Sequence, residues 1–211
     1  KLAGGDYELV AYRCLLHMRL AVFARRPAPS GGGGLRMLRV VSKKVPAGIL
    51  GVWGNKGGLI LRLHLAESGG DGGGECALNF IAAHLAPHEK PLDRRLRERG
   101  VMLRRILSAS PGSGPRPSVE PMFLDARVTV LLGDLNYRVV SKELPPGAVE
   151  AHRWDELLRH DQLSTEMAAG RLLRGFREGC LAFPPTYKLS GAYSYVANRT
   201  PSWCDRVLFF A

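Results

Sequence analysis

Two alternating apolar segments on either side of a glycine-rich stretch constrain the fold most. LILRLHL, residues 59–65, places its leucines on one face and Arg62 and His64 on the other, which is typical of a β-strand with one buried face. AESGGDGGGE follows at residues 66–75, and ALNFIAAHL at residues 77–85 is apolar again. Because a return strand after such a connection pairs antiparallel, this pattern predicts a hairpin-like pair and argues against a purely parallel sheet.

The rest of the chain mixes strands and helices without a regular alternation. Strands are predicted at residues 17–25, 35–45, 127–132 and 200–210, and helices at residues 89–107, 152–160 and 164–176, the last with Ser164 or Thr165 as its N-cap. Loops are predicted at residues 27–34 and 108–121, and an irregular or extended segment at residues 183–189. We therefore expect one α/β domain over residues 1–211, with mixed sheets in a sandwich flanked by helices.

The charge of the chain favours anionic partners. Its 211 residues carry 30 Lys and Arg against 19 Asp and Glu, which gives a net charge of +11. Nucleic acid, an acidic membrane surface or a phosphorylated small molecule would suit such a surplus, although a basic surface can also serve solubility alone. No apolar run reaches membrane-spanning length and no signal peptide is recognisable, and the four cysteines lack the spacing of a metal site, so we expect reduced thiols in a cytoplasmic protein.

The segment VTVLLGDLNYR, residues 128–138, runs from a buried strand directly into polar groups. Asp134 and Asn136 are two residues apart, so in an extended segment they point to the same side. A carboxylate and an amide on one face can hold a water and a phosphate oxygen together. The same residues are typical of a turn, and the motif alone does not separate the two interpretations.

Three other segments also end in polar residues. His84 closes the run at residues 77–85, Asp205 and Arg206 precede the last strand, and Asn55 and Lys56 lie in the glycine-rich GVWGNKGG. Taken singly, these are a structural histidine, a surface ion pair and an incomplete phosphate loop. Taken together, they predict a site assembled from the ends of several strands, as in enzymes built on a sheet.

Five ordered motifs resemble those of the inositol polyphosphate 5-phosphatase family, which is part of the endonuclease/exonuclease/phosphatase superfamily. They are WGNKGG, AAHLAPHEKPLDRR, LLGDLNYRV, DQLSTEMAAGRLLRGFREGCLAFPPTYKL and RTPSWCDRVLF. The resemblance implies a two-sheet sandwich flanked by helices and a Mg²⁺-dependent hydrolase that removes the 5-phosphate from phosphoinositides or soluble inositol polyphosphates.

The resemblance also implies residue roles. Asp134 would activate the attacking water, Asn136 and His84 would contact the scissile phosphate, Asn55 would support His84, and Asp205 would complete the catalytic cluster. The substrate-binding residues it implies are Lys56, Arg138, Tyr187, Lys188, Arg199 and Arg206. Such an inventory suits phosphoryl transfer, in which positioning and charge stabilisation supply most of the catalysis.

The sequence departs from the family in three places. No residue before Tyr12 supplies the glutamate that binds Mg²⁺ in relatives, so no metal ligand is assigned, and no Ser-Asp-His motif follows the last strand. Ala197 stands where relatives often carry a lysine for the 4-phosphate. These departures predict an incomplete catalytic domain, lacking both ends, with little or no activity at this length.

Two alternatives to an active 5-phosphatase remain open at the level of sequence. One is a truncated, catalytically inactive remnant, and the other is a nuclease of the same superfamily, which PPTYK and RTPSWCDR disfavour. We expect no nucleic-acid partner. We expect an anionic membrane surface to be a peripheral partner, since each Lys or Arg near such a surface contributes about 1 kcal/mol of binding free energy. The expected location is therefore the cytoplasm, with transient visits to membranes.

Overall fold

The computed structural model describes most of the chain, namely residues 6–26, 35–46, 56–67, 74–87, 92–109, 122–191 and 194–211. The strands in this part of the chain are β1 (Tyr7–Leu15), β2 (Met18–Arg25), β3 (Leu35–Pro46), β4 (Gly57–Glu67), β5 (Glu75–His84), β6 (Val128–Asp134), β7 (Arg177–Glu178) and β8 (Asp205–Phe210). The α-helices are α1 (Leu92–Leu107), α2 (Trp154–Arg159) and α3 (Gln162–Ala168).

The strands form two sheets. Strands β1 and β2 make an antiparallel hairpin, and the others make a mixed sheet in the order β3-β4-β5-β6-β8-β7. The pair predicted from the opening pattern is confirmed, because β4 and β5 are antiparallel with Leu59 opposite Ala82. Only β5 and β6 are parallel among the neighbours in the described sheet.

The larger sheet is covered on both faces. Leu59 and Leu61 of β4 are buried against the β1–β2 hairpin, in a cluster with Ala11, Met18, Leu20 and Ala82. Ile60 points the other way and packs with Leu103 and Ile106 of α1. The alternation along β4 therefore serves two buried layers, and the predicted mixed, two-sheet architecture with flanking helices is confirmed.

Helix α3 differs from its predicted bounds and cap. The N-cap is Asp161, whose Oδ1 accepts a 2.9 Å hydrogen bond from the backbone N–H of Ser164. Thr165 is already inside the helix, where its hydroxyl donates to the carbonyl of Asp161. The helix ends at Ala168 rather than near residue 176 because Gly170, with φ of 65°, takes the left-handed conformation that closes a helix.

Residues 183–189 are irregular, as their prolines predict. The predicted loop at residues 27–34 and most of the one at 108–121 lie outside the described residues. Within the described part of the chain, no helix combines the length and the apolar composition that a membrane crossing requires.

Candidate active site

The candidate site lies at one edge of the larger sheet, where four strands begin or end. Strand β4 starts at Gly57, which pairs with His84 at the end of β5. Asp134, at the end of β6, pairs with Asp205, at the start of β8. Parallel strands end at the same edge and antiparallel neighbours begin there, so the topology gathers His84, Asp134 and Asp205 as the sequence predicts.

A glycine permits the close approach of β5 and β6 at this edge. Gly133 has φ of 128°, and a Cβ added to it would lie 2.2 Å from the carbonyl oxygen of Ala83. One residue further along, the N–H of Leu85 donates a 2.9 Å hydrogen bond to the carbonyl of Asp134. The glycine thus brings the His84 and Asp134 segments together.

His84 and Asp134 are in contact at the centre of the site. The His84 Nε2 lies 3.3 Å from Asp134 Oδ2, and both side chains are about a third exposed. Burial, reinforced by the positive charge of Lys56, lowers the pKa of His84. The imidazole is therefore neutral at pH 7, and the contact is one between a neutral ring and a carboxylate rather than an ion pair.

The pKa of Asp134 is shifted in the opposite direction. Burial raises it most, and the neighbouring charge of Asp205 raises it further, whereas His84 and the N–H of Asn136 lower it. The net upward shift makes Asp134 a stronger base than an ordinary aspartate, which suits a group that takes a proton from water.

Lys56 brings a cation to the histidine. Its Nζ contacts His84 Nε2 and lies 3.5 Å from Nδ1 of the same ring. Burial lowers the pKa of Lys56, and Asp134 partly offsets that shift. A half-buried ammonium at this position can attract a phosphate, as the sequence predicts for Lys56.

Asn136 shows that the turn and the site interpretations describe the same structure. Its backbone N–H donates a 3.0 Å hydrogen bond to Asp134 Oδ1, and its φ of 57° is left-handed, so the segment is a turn rather than an extended continuation of β6. Its side-chain Nδ2 donates to the carbonyl of Leu85 at 2.7 Å, and its Oδ1 accepts from Arg138 Nη2 at 2.8 Å. Nδ2 carries a second N–H besides the one that bonds the carbonyl of Leu85.

Arg138 connects this turn to the segment around Tyr187. The guanidinium carbon lies 3.5 Å from the centroid of the Tyr187 ring, a cation–π contact. Tyr187 is itself fixed by two backbone hydrogen bonds with Ser202. The predicted substrate contacts Lys188 and Arg199 are exposed, and the backbone of Val196 hydrogen-bonds to both, which draws them into one loop region.

The predicted substrate-binding role of Arg206 is wrong. Its side chain has no exposed surface and is bound by Asp161 Oδ1 at 2.8 Å and by both oxygens of Glu178, at 2.8 and 2.5 Å. The reason is strand geometry, because successive residues of β8 point to opposite faces and the exposed position belongs to Asp205.

One sequence prediction and one omission complete the description of the site. Asn55, predicted to support His84, lies outside the described residues. Sequence reasoning missed Gln162, whose Oε1 accepts a 3.1 Å hydrogen bond from the backbone N–H of Arg138. The only available signal was the acidic N-cap pattern of DQLS, which marks the start of α3 but not its contact with the site.

The described residues do not form a complete metal cage. Among these residues, no three His, Cys, Asp or Glu side chains lie around one point where they could hold a metal ion. The two oxygens of Asp134 already meet Asn136 and His84, whereas Asp205 is exposed. Mg²⁺ is commonly held by one or two carboxylates together with substrate phosphates and water, and the single carboxylate of Asp205 fits an open site of that kind.

Known proteins are similar to this chain over most of its length. Residues 2–211 match the endonuclease/exonuclease/phosphatase family 2. The type I inositol polyphosphate 5-phosphatase 5 of Arabidopsis thaliana is 34% identical over 97% of this chain and 38% of its own length. The type II inositol 1,4,5-trisphosphate 5-phosphatase of Mus musculus is 35% identical over 81% of this chain and 17% of its own length. The chain therefore spans well under half of these relatives.

Solved structures give the same result for the fold. The inositol polyphosphate 5-phosphatase domain of SPsynaptojanin, in complex with inositol (1,4)-bisphosphate and calcium ion, matches with a TM-score of 0.71 and 27% identity, over 97% of this chain and 55% of that domain. A Cimex nitrophorin matches with a TM-score of 0.58 at 18% identity, over 97% of this chain and 63% of that one, and so shows the fold alone. The resemblance seen in the motifs is thus confirmed, and the chain belongs to the endonuclease/exonuclease/phosphatase family 2, in which it is similar to the inositol polyphosphate 5-phosphatases.

Proposed function

We propose that this site hydrolyses the 5-phosphate of inositol polyphosphates or phosphoinositides, with Mg²⁺ as cofactor. The observation that carries the proposal is the convergence of His84, Asp134 and the Asn136–Arg138 pair at one strand edge, in a chain similar to 5-phosphatases. Phosphoryl transfer needs a base for water and positive or hydrogen-bonding groups around the phosphate, and this cluster contains both.

Each central residue has a role that its environment supports. Asp134 accepts a proton from the attacking water, and its raised pKa brings it closer to the working pH of a general base. His84 is neutral because its pKa is lowered, so its ring carries one N–H, which faces Asp134 in this structure and would donate to a phosphate oxygen when substrate is bound. Asn136 offers its second Nδ2 hydrogen to the same phosphate, while its other bonds hold the amide in place.

Positive groups around this centre would bind the remaining phosphates. Lys56 lies beside His84, and Arg138, Tyr187, Lys188 and Arg199 extend from the turn into the neighbouring loop. A 4-phosphate next to the scissile group would meet that loop. Mg²⁺, with Asp205 as one ligand, would supply Lewis-acid stabilisation of the phosphate charge.

The net positive charge of the chain favours contact with an anionic membrane surface. A net charge of +11 would draw the protein to anionic lipid, where a phosphoinositide substrate resides. We therefore expect a cytoplasmic protein with transient, salt-sensitive membrane contact.

The test is phosphate release from PtdIns(4,5)P₂ and from soluble Ins(1,4,5)P₃, with and without Mg²⁺, by this chain. Asp134→Ala should lower kcat by about two to four orders of magnitude, the usual contribution of a positioned general base. Glu150→Gln, an exposed charge change outside the site, is the matched control and should retain activity.

The outcomes separate the alternatives. Mg²⁺-dependent release that Asp134→Ala abolishes supports the proposal and identifies the preferred substrate. Absence of release contradicts the proposal and favours the inactive alternative, whereas cleavage of a DNA duplex in a parallel arm would favour the nuclease.

A further inference from the structure

The two halves of the candidate site are joined by one side chain. Arg138 donates from Nη2 to Asn136 Oδ1 at 2.8 Å, and the same guanidinium lies 3.5 Å from the centre of the Tyr187 ring. This guanidinium therefore helps to hold both groups, the Asn136 amide together with the carbonyl of Leu85 and the Tyr187 ring together with the backbone of Ser202. A shift of Arg138 would weaken the hold on both groups.

The backbone of Arg138 is in turn held by Gln162. The N–H of Arg138 donates to Gln162 Oε1 at 3.1 Å, and the N–H of Gln162 donates to the carbonyl of Arg138 at 2.9 Å. One residue thus binds both polar groups of the Arg138 backbone, one with its side chain and one with its main chain. The neighbouring residues Val139 and Asp161 form an isolated β-bridge, which extends the same attachment.

Gln162 is itself fixed from several directions. It is 6% exposed, and its Oε1 also accepts a 3.3 Å hydrogen bond from Arg99 Nη1 of helix α1. Its predecessor Asp161 caps α3 and accepts from Arg206 Nη1 at 2.8 Å. The Gln162 side chain is therefore held by α1, and its backbone is anchored through Asp161 to β8, so it presents a fixed acceptor to the turn that carries Asn136.

We infer that Gln162 is a positioning residue, which acts through Arg138 to hold the Asn136 amide and the Tyr187 ring in their working geometry. This inference rests on the proposed hydrolysis for its kinetic consequences, but not for its structural ones. The Oδ1 side of the Asn136 amide is held by Arg138 and its Nδ2 side by the carbonyl of Leu85, so loss of the Arg138 contact frees one side of the group, and small displacements of a group that contacts the transition state lower the rate steeply. A merely structural glutamine would satisfy Arg99 and leave the site unchanged when replaced.

The kinetic test compares two substitutions at Gln162. Gln162→Met keeps the length and removes the acceptor, whereas Gln162→Glu keeps an oxygen at the same position. We expect Gln162→Met to lower kcat about tenfold, with KM within about twofold, and Gln162→Glu to restore most of the rate. Thr129→Val is the matched control, because it removes the hydrogen-bond partner of buried Asn79, about five residues from Asp134 along β6. It should keep full kcat below its own melting temperature.

A mutant cycle tests whether the effect passes through Arg138. If it does, Gln162→Met should add little to the loss of kcat caused by Arg138→Lys. The Arg138→Lys variant has already lost the guanidinium contacts with Asn136 and Tyr187 through which Gln162 would act. Additive losses, or a Gln162→Met enzyme with the wild-type kcat at a temperature where it is folded, would overturn the inference.

A structural readout decides the matter even if the chain does not hydrolyse phosphate. In ¹⁵N spectra, Gln162→Met should shift the side-chain amide signals of Asn136 and increase the exchange rate of the Arg138 N–H, whereas Thr129→Val should leave both in place. Unchanged Asn136 signals in a folded Gln162→Met protein would overturn the inference independently of activity. Failure of the proposed function would instead appear as a lack of release by the unsubstituted protein, with the Asn136 shifts still present.

Discussion

The pairing of Asp134 with His84 shows how burial prepares two ordinary side chains for different tasks. Removal of water raises the pKa of the acid and lowers that of the base, so both shifts disfavour charge. Lys56 strengthens the shift of the histidine and Asp205 that of the aspartate. The desolvation that shifts the two pKa values therefore also lowers the stability of the folded state.

Substitution of Asp134 should separate activity from stability. Because the folded pKa of Asp134 is raised, the unfolded chain releases this proton first, and stability is lost as the pH rises through the interval between the two values. Asp134→Asn should therefore abolish hydrolysis while its melting temperature at pH 7 equals or exceeds that of the unsubstituted protein. The difference should vanish near pH 3, where both states are protonated. Glu150→Gln should show no such pattern, and a lower melting temperature for Asp134→Asn at pH 7 would contradict the prediction.

The charge of Lys56 should be measurable on the histidine ring. Lys56 lowers the pKa of His84 through its positive charge, in second place after burial. Lys56→Met should therefore raise the pKa of His84 in an NMR titration of the ring protons, since the apolar side chain retains the burial. Lys142→Met, an exposed change in the short helix at residues 141–143, should leave the titration in place. An unchanged or lower His84 pKa in Lys56→Met would show that the two groups do not interact.

At the scale of secondary-structure elements, the site depends on how closely β5 and β6 approach. Alternating apolar residues predict a strand such as β4, because its leucines line one face and pack against the β1–β2 hairpin. The approach at Gly133 has no such signature, since GD reads equally well as a turn. The turn at Asn136 was one of two interpretations of the motif, but its hydrogen bond to the carbonyl of Leu85 could not be predicted, because that partner is 51 residues away in the sequence.

Gly133→Ala should be one of the most damaging single-methyl changes in the chain. The added Cβ would meet the backbone oxygen of Ala83 at 2.2 Å, and the φ of 128° is one that alanine rarely adopts. We expect a loss of about 3 kcal/mol or more in the free energy of unfolding, measured by urea denaturation, because the neighbour is backbone and cannot rotate away. Gly74→Ala, where an added Cβ meets nothing within 4 Å, is the control and should change little. Equal stabilities of the two variants would contradict this account of the strand contact.

At the scale of the whole molecule, the sequence predicts layers better than it predicts buried polar contacts. The two-sheet arrangement and most of its strands follow from apolar periodicity, which is a local property of the chain. Arg206 was misplaced because Asp-Arg before an apolar strand indicates a surface pair, while its partners Asp161 and Glu178 lie 45 and 28 residues away. Gln162 was missed for the same reason, since its contacts with Arg99 and Arg138 are long-range. Contacts of this kind depend on how elements assemble, and a single sequence does not encode them as a pattern.

We expect buried Arg206, with its partners Asp161 and Glu178, to stabilise the fold rather than to bind substrate. Arg206→Met leaves the carboxylates of Asp161 and Glu178 buried without their cation, and breaking a buried pair in this way costs about 3–5 kcal/mol of unfolding free energy. Arg171→Met removes the exposed pair with Glu166 and should change stability little in the same chemical denaturation. Wild-type stability in Arg206→Met together with a raised KM would return Arg206 to the substrate-binding residues. A stability deficit in Arg206→Met alone would show that the arginine holds α3, β7 and β8 together beneath the site.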